Sequence, residues 1–414
     1  MRKLSFTMCL LIAMVFGYGQ KKELNNAYNF YLNGYLDKAK ESIDRAILND
    51  ETVKDAKTWM YRGNIYLRIA EIREKEAQWE RDKEDSIKKG KPEPVKSREQ
   101  QSQSAYLTLC TNCADVAYEA FVKAFELDRE LTVNMAVPTY NKGLELCGAY
   151  LYNESIRYFE KGKYEEAHEV LIKANKADDK QDNITFLLAY TAELTNKKDA
   201  AKTHYNSMIR RRTPSKDARV YQQLANIYKS EDDTARMLKT MQDAEPIFIT
   251  DTTVNKDFAL AYSFFLSWAG KSDDATDVIN KALEKYPDDH TLLVSYGTSL
   301  SEDGQYAKAE MYLTKALELK PDDHMAMFNL GTCYYNNSVS SKRAAGIAND
   351  DNDYKRLTEE ADKLMGQARL CMEKALELLP SDRNTMLSLK RIYLQLGLTD
   401  EHNAIDEKLN ALDK

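Results

Sequence analysis

The chain has 414 residues, enough for several ordinary domains or one long repeat array, and its formal net charge is −7 at pH 7. This acidic balance disfavours nucleic acid as a partner, because affinity for nucleic acid comes largely from neutralising phosphates. Glycine and proline are scarce, at 15 and 8 residues, so the composition favours helices over β-turns and predicts an all-α protein.

The N-terminus has the pattern of a cleaved export signal. A short basic start precedes an apolar run at residues 4–16, and Gly17 and Gly19 supply small residues before the cleavage point. We expect cleavage after Gly19, which removes the signal peptide (residues 1–19) and places the protein in the periplasm or cell envelope, or outside the cell. The alternative is an uncleaved anchor, although the run is shorter than a spanning helix. After cleavage we expect no membrane-spanning segment.

Internal similarity organises the rest of the chain. Three segments begin with Ala-Leu-Glu and continue to Pro287, Pro321 and Pro380, each followed closely by acidic residues. The step from Pro287 to Pro321 is 34 residues. Before Pro321, small residues alternate with larger apolar ones at helical spacing, namely Gly304, Tyr306, Ala309, Leu313 and Ala316.

These residues and their spacing resemble the tetratricopeptide repeat (TPR) family, whose period is 34 residues. The resemblance covers nearly all of the chain after residue 19 and identifies an exported bacterial TPR-repeat protein. It implies an all-α, right-handed superhelix (an α-solenoid) of about eight to nine helical hairpins. We divide the superhelix into an N-terminal array at residues 20–255 and a C-terminal array at residues 256–414, which ends in a cap.

The ends of the helices follow from local chemistry. The three prolines stop the second helix of each repeat, since proline cannot continue an α-helix. The aspartates that follow are expected to cap the next helix, namely Asp289, Asp323 and Asp382. The fourth and fifth repeats are degenerate, because Met237 and Met241 replace the usual small and aromatic residues, and methionine specifies packing poorly.

Two insertions interrupt the array, at about residues 71–112 and 336–358. Both fall between the first and second helices of a repeat, so both should emerge from the same edge of the solenoid. The first is rich in mixed charge, with residues 91–94 as its tip. Either the insertions lengthen the helices beyond the array, or they are solvated loops.

Cys110 and Cys113 form a CxxC pair at the end of the first insertion. In an exported protein we interpret this pair as a candidate disulfide that braces the insertion, with metal binding and redox catalysis as alternatives. A redox enzyme of this type places its CxxC after a β-strand, and no strand pattern precedes this one. Cys333 and Cys371 fall on the two helices of one repeat, and they either pair or stay as buried thiols.

No motif indicates an enzyme, a metal site or a cofactor site. The chain lacks a nucleophile elbow, a phosphate loop, a dinucleotide fingerprint and an HExxH pair. His290 and His324 occupy equivalent positions in two repeats, so duplication explains them better than a shared site. We therefore predict that the protein is not an enzyme and has no cofactor.

The resemblance implies that the first helices of the repeats grip a protein or peptide in a concave groove. Its groove-facing positions correspond here to ten aromatic residues, namely Tyr28, Tyr31, Tyr152, Phe159, Phe186, Tyr190, Phe264, Trp268, Phe328 and Tyr335. We predict a non-catalytic interaction scaffold of the bacterial cell envelope. The alternatives are an accessory subunit of an envelope assembly or secretion machine, or a redox helper that uses Cys110 and Cys113. The sequence leaves the oligomeric state open.

Overall fold

The computed structural model describes residues 21–134, 140–211, 213–250 and 252–412. Over these ranges the chain is almost entirely α-helical, and a single β-bridge joins Ile249 to Val254. No helix in the described ranges combines the length and the apolar character needed to cross a bilayer. The expected signal peptide, residues 1–19, lies outside the described part of the chain.

Within these ranges the helices pair into nine hairpins, in agreement with the predicted eight to nine. The first five hairpins are α1 (residues 21–32) with α2 (Leu36–Ala46), α3 (Ala56–Lys88) with α5 (Cys113–Leu127), α7 (Tyr140–Phe159) with α8 (Tyr164–Ala177), α9 (Asp182–Leu194) with α10 (Lys198–Ile209), and α11 (Ala218–Ser230) with α12 (Thr234–Phe248). The last four are α13 (Lys256–Trp268) with α14 (Ser272–Lys285), α15 (His290–Glu302) with α16 (Tyr306–Leu319), α17 (His324–Gly346) with α18 (Asp351–Leu378), and α19 (Arg383–Leu396) with α20 (Thr399–Leu412). Two short helices, α4 (Arg98–Gln103) and α6 (Arg129–Asn134), lie between hairpin helices.

The predicted helix ends are confirmed. Helices α14, α16 and α18 each end two residues before a proline. The three aspartates that follow cap α15, α17 and α19, because each side chain accepts a hydrogen bond from a backbone N–H in the first turn. The pairs are Asp289 with Leu292 at 3.1 Å, Asp323 with Ala326 at 2.7 Å, and Asp382 with Thr385 at 2.7 Å.

Small residues allow the helices to approach closely, as the repeat pattern predicts. In the first unit the Phe121 ring of α5 lies between Gly63 of α3 and Gly143 of α7. A Cβ atom built on Gly63 would stand 2.6 Å from the ring, and one on Gly143 would stand 2.7 Å from it. Any larger side chain at either position would therefore overlap a fully buried ring.

The chain divides into two compact units, Met1–Thr213 and Pro214–Lys414. The sequence placed the division at residues 255 and 256, one repeat later. The fifth hairpin belongs with the second unit because its aromatic residues pack onto α13. Phe248 of α12 lies 5.6 Å from Tyr221 of α11 and 4.9 Å from Phe258 of α13, measured between ring centroids.

Both insertions lengthen helices, so the solvated-loop alternative is wrong for most of their length. The first extends α3 to 33 residues and returns through residues 89–97, α4 and a 3-10 turn. Its outer part has its own packing, since the Trp79 indole donates to the Pro94 carbonyl at 3.1 Å and the Lys96 ammonium lies 4.3 Å from the Trp79 ring. The second insertion continues α17 and α18, and the Asp350 side chain caps α18.

Candidate functional site

The ten predicted groove aromatics differ in exposure. Three are exposed, with exposed fractions of 39% for Tyr28, 53% for Phe264 and 42% for Trp268. The other seven are half-buried, namely Tyr31, Tyr152, Phe159, Phe186, Tyr190, Phe328 and Tyr335. None of the ten belongs to the fully buried core, so all of them keep some surface toward solvent.

In the first unit, most of these rings pack against other rings. Tyr28 stacks on Tyr61 of α3 with 4.7 Å between centroids. Tyr190 lies 6.0 Å from Phe159 of α7 and 6.3 Å from Phe186 of its own helix. These aromatics therefore join neighbouring helices, and only part of each ring is available to a partner.

The second unit has an open cleft along the first helices of three successive repeats, α13, α15 and α17. The cleft measures about 550 Å³. Leu260 and Phe264 of α13 form one wall, and Met325 and Asn329 of α17 form the other. The floor is α15, which contributes Val294, Ser295 and Thr298.

The cleft exists because the floor helix has smaller side chains than the walls. In the repeat register, Val294 corresponds to Leu260, and Thr298 corresponds to Phe264. Two polar groups of the cleft bond to each other, since the Asn329 amide donates to the Thr298 hydroxyl at 2.9 Å. A few polar groups on apolar walls are typical of ligand-binding clefts.

Lys229 of α11 extends this site beyond what the sequence predicted. Its ammonium lies 4.4 Å from the Phe264 ring centroid and 5.4 Å from that of Trp268. Phe264 and Trp268 are four residues apart on α13 and thus share a helix face. Lys229 is not among the ten predicted residues because that set contains only aromatic side chains, although Lys229 occupies in α11 the position that Tyr335 occupies in α17. Lys229 is a basic residue in the last turn of α11, the first helix of its hairpin, and this feature could have indicated it.

A row of Lys–Asp and His–Asp contacts joins consecutive repeats, and one of them, His290 with Asp323, lines the cleft. The first residue of each of three successive first helices contacts the capping aspartate of the next first helix. The N–O distances are 2.8 Å for Lys256 with Asp289, 3.6 Å for His290 with Asp323, and 3.6 Å for His324 with Asp382. The duplication inferred for His290 and His324 thus has a structural role, which is to join consecutive repeats.

Cys110 and Cys113 are free thiols in this structure, so the candidate disulfide is not formed. The Cys113 thiol, at the first residue of α5, instead donates to the Cys110 carbonyl oxygen at 3.2 Å. The Cys113 thiol can donate instead to the Cys110 sulfur once Cys110 is ionised, which lowers the pKa of Cys110, while Lys40 and Arg73 add positive charge nearby. Cys333 and Cys371 are also free thiols.

Potential metal ligands do not gather within the described ranges. No three side chains of His, Cys, Asp or Glu there are close enough to hold an ion together. Asp350, in the acidic segment after Asn349, caps helix α18, since its carboxylate accepts a hydrogen bond from the Asp353 backbone N–H at 2.9 Å.

The hairpins, their caps and the cleft along first helices define a class of protein, the all-α repeat array that presents helix faces to a partner. The sequence profile of the Tetratricopeptide repeat matches residues 297–349, which run from within α15 to the turn before α18. The chain therefore contains a tetratricopeptide repeat at residues 297–349, and the helical hairpins of the described ranges agree with the resemblance to that family. No curated protein matches the sequence significantly.

Three solved structures are similar to parts of the chain. YrrB, a TPR protein with an unusual peptide-binding site, is 17% identical, with 54% of this chain and 99% of YrrB covered and a TM-score of 0.37. The human IFIT1 dimer is 16% identical, with 92% of this chain and 66% of that chain covered and a TM-score of 0.38. Pseudomonas aeruginosa pilF is 13% identical, with 61% of this chain and 99% of that chain covered and a TM-score of 0.42.

Proposed function

We propose that this protein is a non-catalytic scaffold that holds a segment of a partner protein in the cleft of its second unit. The TPR fold itself suggests a protein–protein interaction scaffold. The observation that carries the finer proposal is the exposed ring of Phe264, which lines an open cleft, together with the exposed ring of Trp268 four residues further along α13.

Exposed aromatic side chains beside a cleft favour partner binding for an energetic reason. A large ring in water gains free energy when a partner covers it, and aromatic residues supply much of the binding energy at protein interfaces. Met325, on the opposite wall, is 57% exposed. A partner segment that enters the cleft would therefore bury apolar surface on both walls at once.

The shape of the cleft favours an extended or helical segment of the partner. Its floor crosses α15, whose small side chains leave space above them, while Phe264 and Met325 stand on either side. The polar pair of Asn329 and Thr298 lies within reach of a backbone or side-chain group of the bound segment. We propose that these polar groups orient the segment and the apolar walls supply the affinity.

We also propose that the protein works in the cell envelope after export and cleavage following Gly19. This rests on the apolar run at residues 4–16 and the small residues after it. An accessory role in an envelope assembly would use the same cleft.

Site-specific photocrosslinking in the native host tests the cleft. A benzophenone amino acid is placed at Phe264 or Met325, and at Met311 as the control. Met311 is 58% exposed on α16, away from the cleft. We expect one partner to crosslink at the first two positions and not at the third. Crosslinking at Met311 alone, or at no position, would reject the cleft as the binding site.

A further inference from the structure

We infer that the partner segment presents a carboxylate to Lys229, so that this site selects an acidic residue next to an apolar one. The inference rests on the proposed function, since it specifies what the cleft of the second unit binds. It adds a charged subsite, formed by Lys229, Phe264 and Trp268, to the apolar cleft.

The environment of the Lys229 ammonium favours an anionic ligand. It lies over two aromatic rings, at 4.4 and 5.4 Å from their centroids, and its side chain is half-buried. Ring faces attract a cation but accept few of the three hydrogen bonds that an ammonium can donate. Within the described ranges no carboxylate lies within 4.0 Å of the Lys229 ammonium. A ligand carboxylate would supply the missing acceptor.

Lys229 also differs from several other lysines of the same unit. Four of these lysines lie close to a carboxylate of the protein, namely Lys239 to Asp243, Lys256 to Asp289, Lys271 to Asp274 and Lys281 to Glu245. Lys229 instead directs its charge toward the exposed rings. In a chain with a net charge of −7, this places local positive charge beside an apolar surface.

The Lys229 subsite is continuous with the cleft. Phe264 lines the cleft and also lies under Lys229, so one ring belongs to both subsites. A bound segment that places an apolar side chain against Phe264 in the cleft brings its neighbouring residue close to the ammonium. Aspartate or glutamate at that neighbouring position would form a charge-assisted hydrogen bond. A C-terminal carboxylate has the same chemistry, and the experiment distinguishes the two sources.

Fluorescence polarisation with synthetic peptide pools tests this inference on the full mature chain. Each pool fixes an apolar residue followed by Glu, Gln or Lys, and each is made with an amidated and a free C-terminus. The variants are Lys229→Met, which keeps the apolar stem, and Lys229→Arg, which keeps the charge. Lys216→Met is the matched control, because Lys216 is exposed in the same unit outside the cleft.

We expect the Glu pool to bind more tightly than the Gln and Lys pools, with amidated C-termini. Lys229→Met should weaken only the Glu pool, by roughly tenfold or more, as expected for a hydrogen bond between charged groups. Lys229→Arg and Lys216→Met should retain the preference. If only free C-termini bind, the carboxylate comes from the chain end. Binding without any acidic preference, or a preference that survives Lys229→Met, would overturn the inference alone, whereas no binding by any pool would overturn the proposed function too.

Discussion

The His324 imidazole Nε2 lies 3.6 Å from the Asp382 carboxylate, and so connects the first residue of α17 to the cap of α19. The same carboxylate accepts hydrogen bonds from the Thr385 backbone N–H at 2.7 Å and from the Thr385 hydroxyl at 2.5 Å. One aspartate therefore caps its own helix and joins it to the preceding repeat. The pair of His290 and Asp323 repeats this arrangement one hairpin earlier.

The charge of Asp382 should make stability depend on pH. Burial raises the pKa of the Asp382 carboxyl, but the hydrogen bonds from Thr385 and the charge of His324 lower it more, so its pKa lies below the ordinary 3.8. A lowered pKa contributes stability that is present above pH 3.8 and is lost as the pH falls through the folded-state pKa. Asp382→Asn retains a capping oxygen and should lower the free energy of unfolding at neutral pH by about 1 kcal/mol.

Urea unfolding of wild type and Asp382→Asn across the acidic range measures this difference. It should shrink as the pH falls through the folded-state pKa. Asp322→Asn is the control, because Asp322 is exposed and caps no helix. A difference that stays constant down to the acid limit would show that the carboxylate charge does not act through this contact.

Replacing two glycines of the second unit by alanine should change the free energy of unfolding in opposite directions. A Cβ on Gly297 would stand 2.7 Å from Leu313 Cγ and 3.2 Å from the Ala309 carbonyl oxygen, whereas one on Gly366 would meet nothing within 4 Å. Gly297→Ala should destabilise by about 1–3 kcal/mol through overpacking. Gly366→Ala should stabilise by about 0.5–1 kcal/mol, because alanine favours the helix. Equal effects in thermal or urea unfolding would contradict this packing.

Substitution of two adjacent phenylalanines of α13 should distinguish a residue of the binding surface from a residue of the core. Phe264 is 53% exposed, and its neighbour Phe265 is 2% exposed. Phe264→Ala should change the free energy of unfolding by no more than about 0.5 kcal/mol, as is usual for surface positions. Phe265→Ala should cost about 3–5 kcal/mol, because it leaves a cavity. If Phe264→Ala proved equally destabilising, the ring would belong to the core and could not be a free binding surface.

Cys110 should react fastest among the described cysteines. Its pKa is lowered by the hydrogen bond from Cys113, while burial raises the pKa of Cys371 to about 11 and also raises that of Cys147. Because the thiolate is the nucleophile, native alkylation with iodoacetamide should label Cys110 first. Arg73→Met should slow this labelling, since it removes a nearby positive charge. Peptide mass spectrometry measures the rates.

A redox helper would require more than one reactive thiol. Cys110 and Cys113 would have to cycle between dithiol and disulfide under mild reductant. The disulfide content of protein purified without reductant, compared before and after mild reduction, tests this alternative. A pair that stays as thiols, or stays oxidised, would remove it.

The exported protein should begin at Gln20. Gly17 and Gly19 form the small pair at the end of the apolar run, so cleavage is expected after Gly19. Intact-mass measurement of the protein from the cell envelope decides this. A mass that includes residues 1–19 would favour the uncleaved anchor.

The repeat chemistry was readable from the sequence because it is local and periodic. The prolines and capping aspartates act within one turn of the helix that they stop or start, so spacing alone located them. Small residues such as Gly63 mark close helix contacts wherever they recur at the repeat period. Even the degenerate fifth repeat kept its register, since Met237 and Met241 are both fully buried.

The insertions and the unit boundary depended on contacts that the repeat pattern does not contain. Trp79 lies far along α3 from the hairpin, and only the returning segment at Pro94 and Lys96 shows what covers it. Likewise, the fifth hairpin joined the second unit through the stacking of Phe248 on Phe258. Such contacts join positions with no fixed spacing, so periodicity does not predict them.

By itself, the sequence determined the hairpin repeat and the helix ends, because both follow from the period of a helix and of the repeat, and it predicted ten groove aromatics. Only the tertiary structure decided which of these rings stay exposed. Tyr190 is half covered by Phe159 of another repeat, whereas Phe264 faces an open cleft and the charge of Lys229. The exposure of a ring depends on the size of the side chains that adjacent repeats place against it. The repeat pattern does not fix those side chains, so it does not predict the exposure.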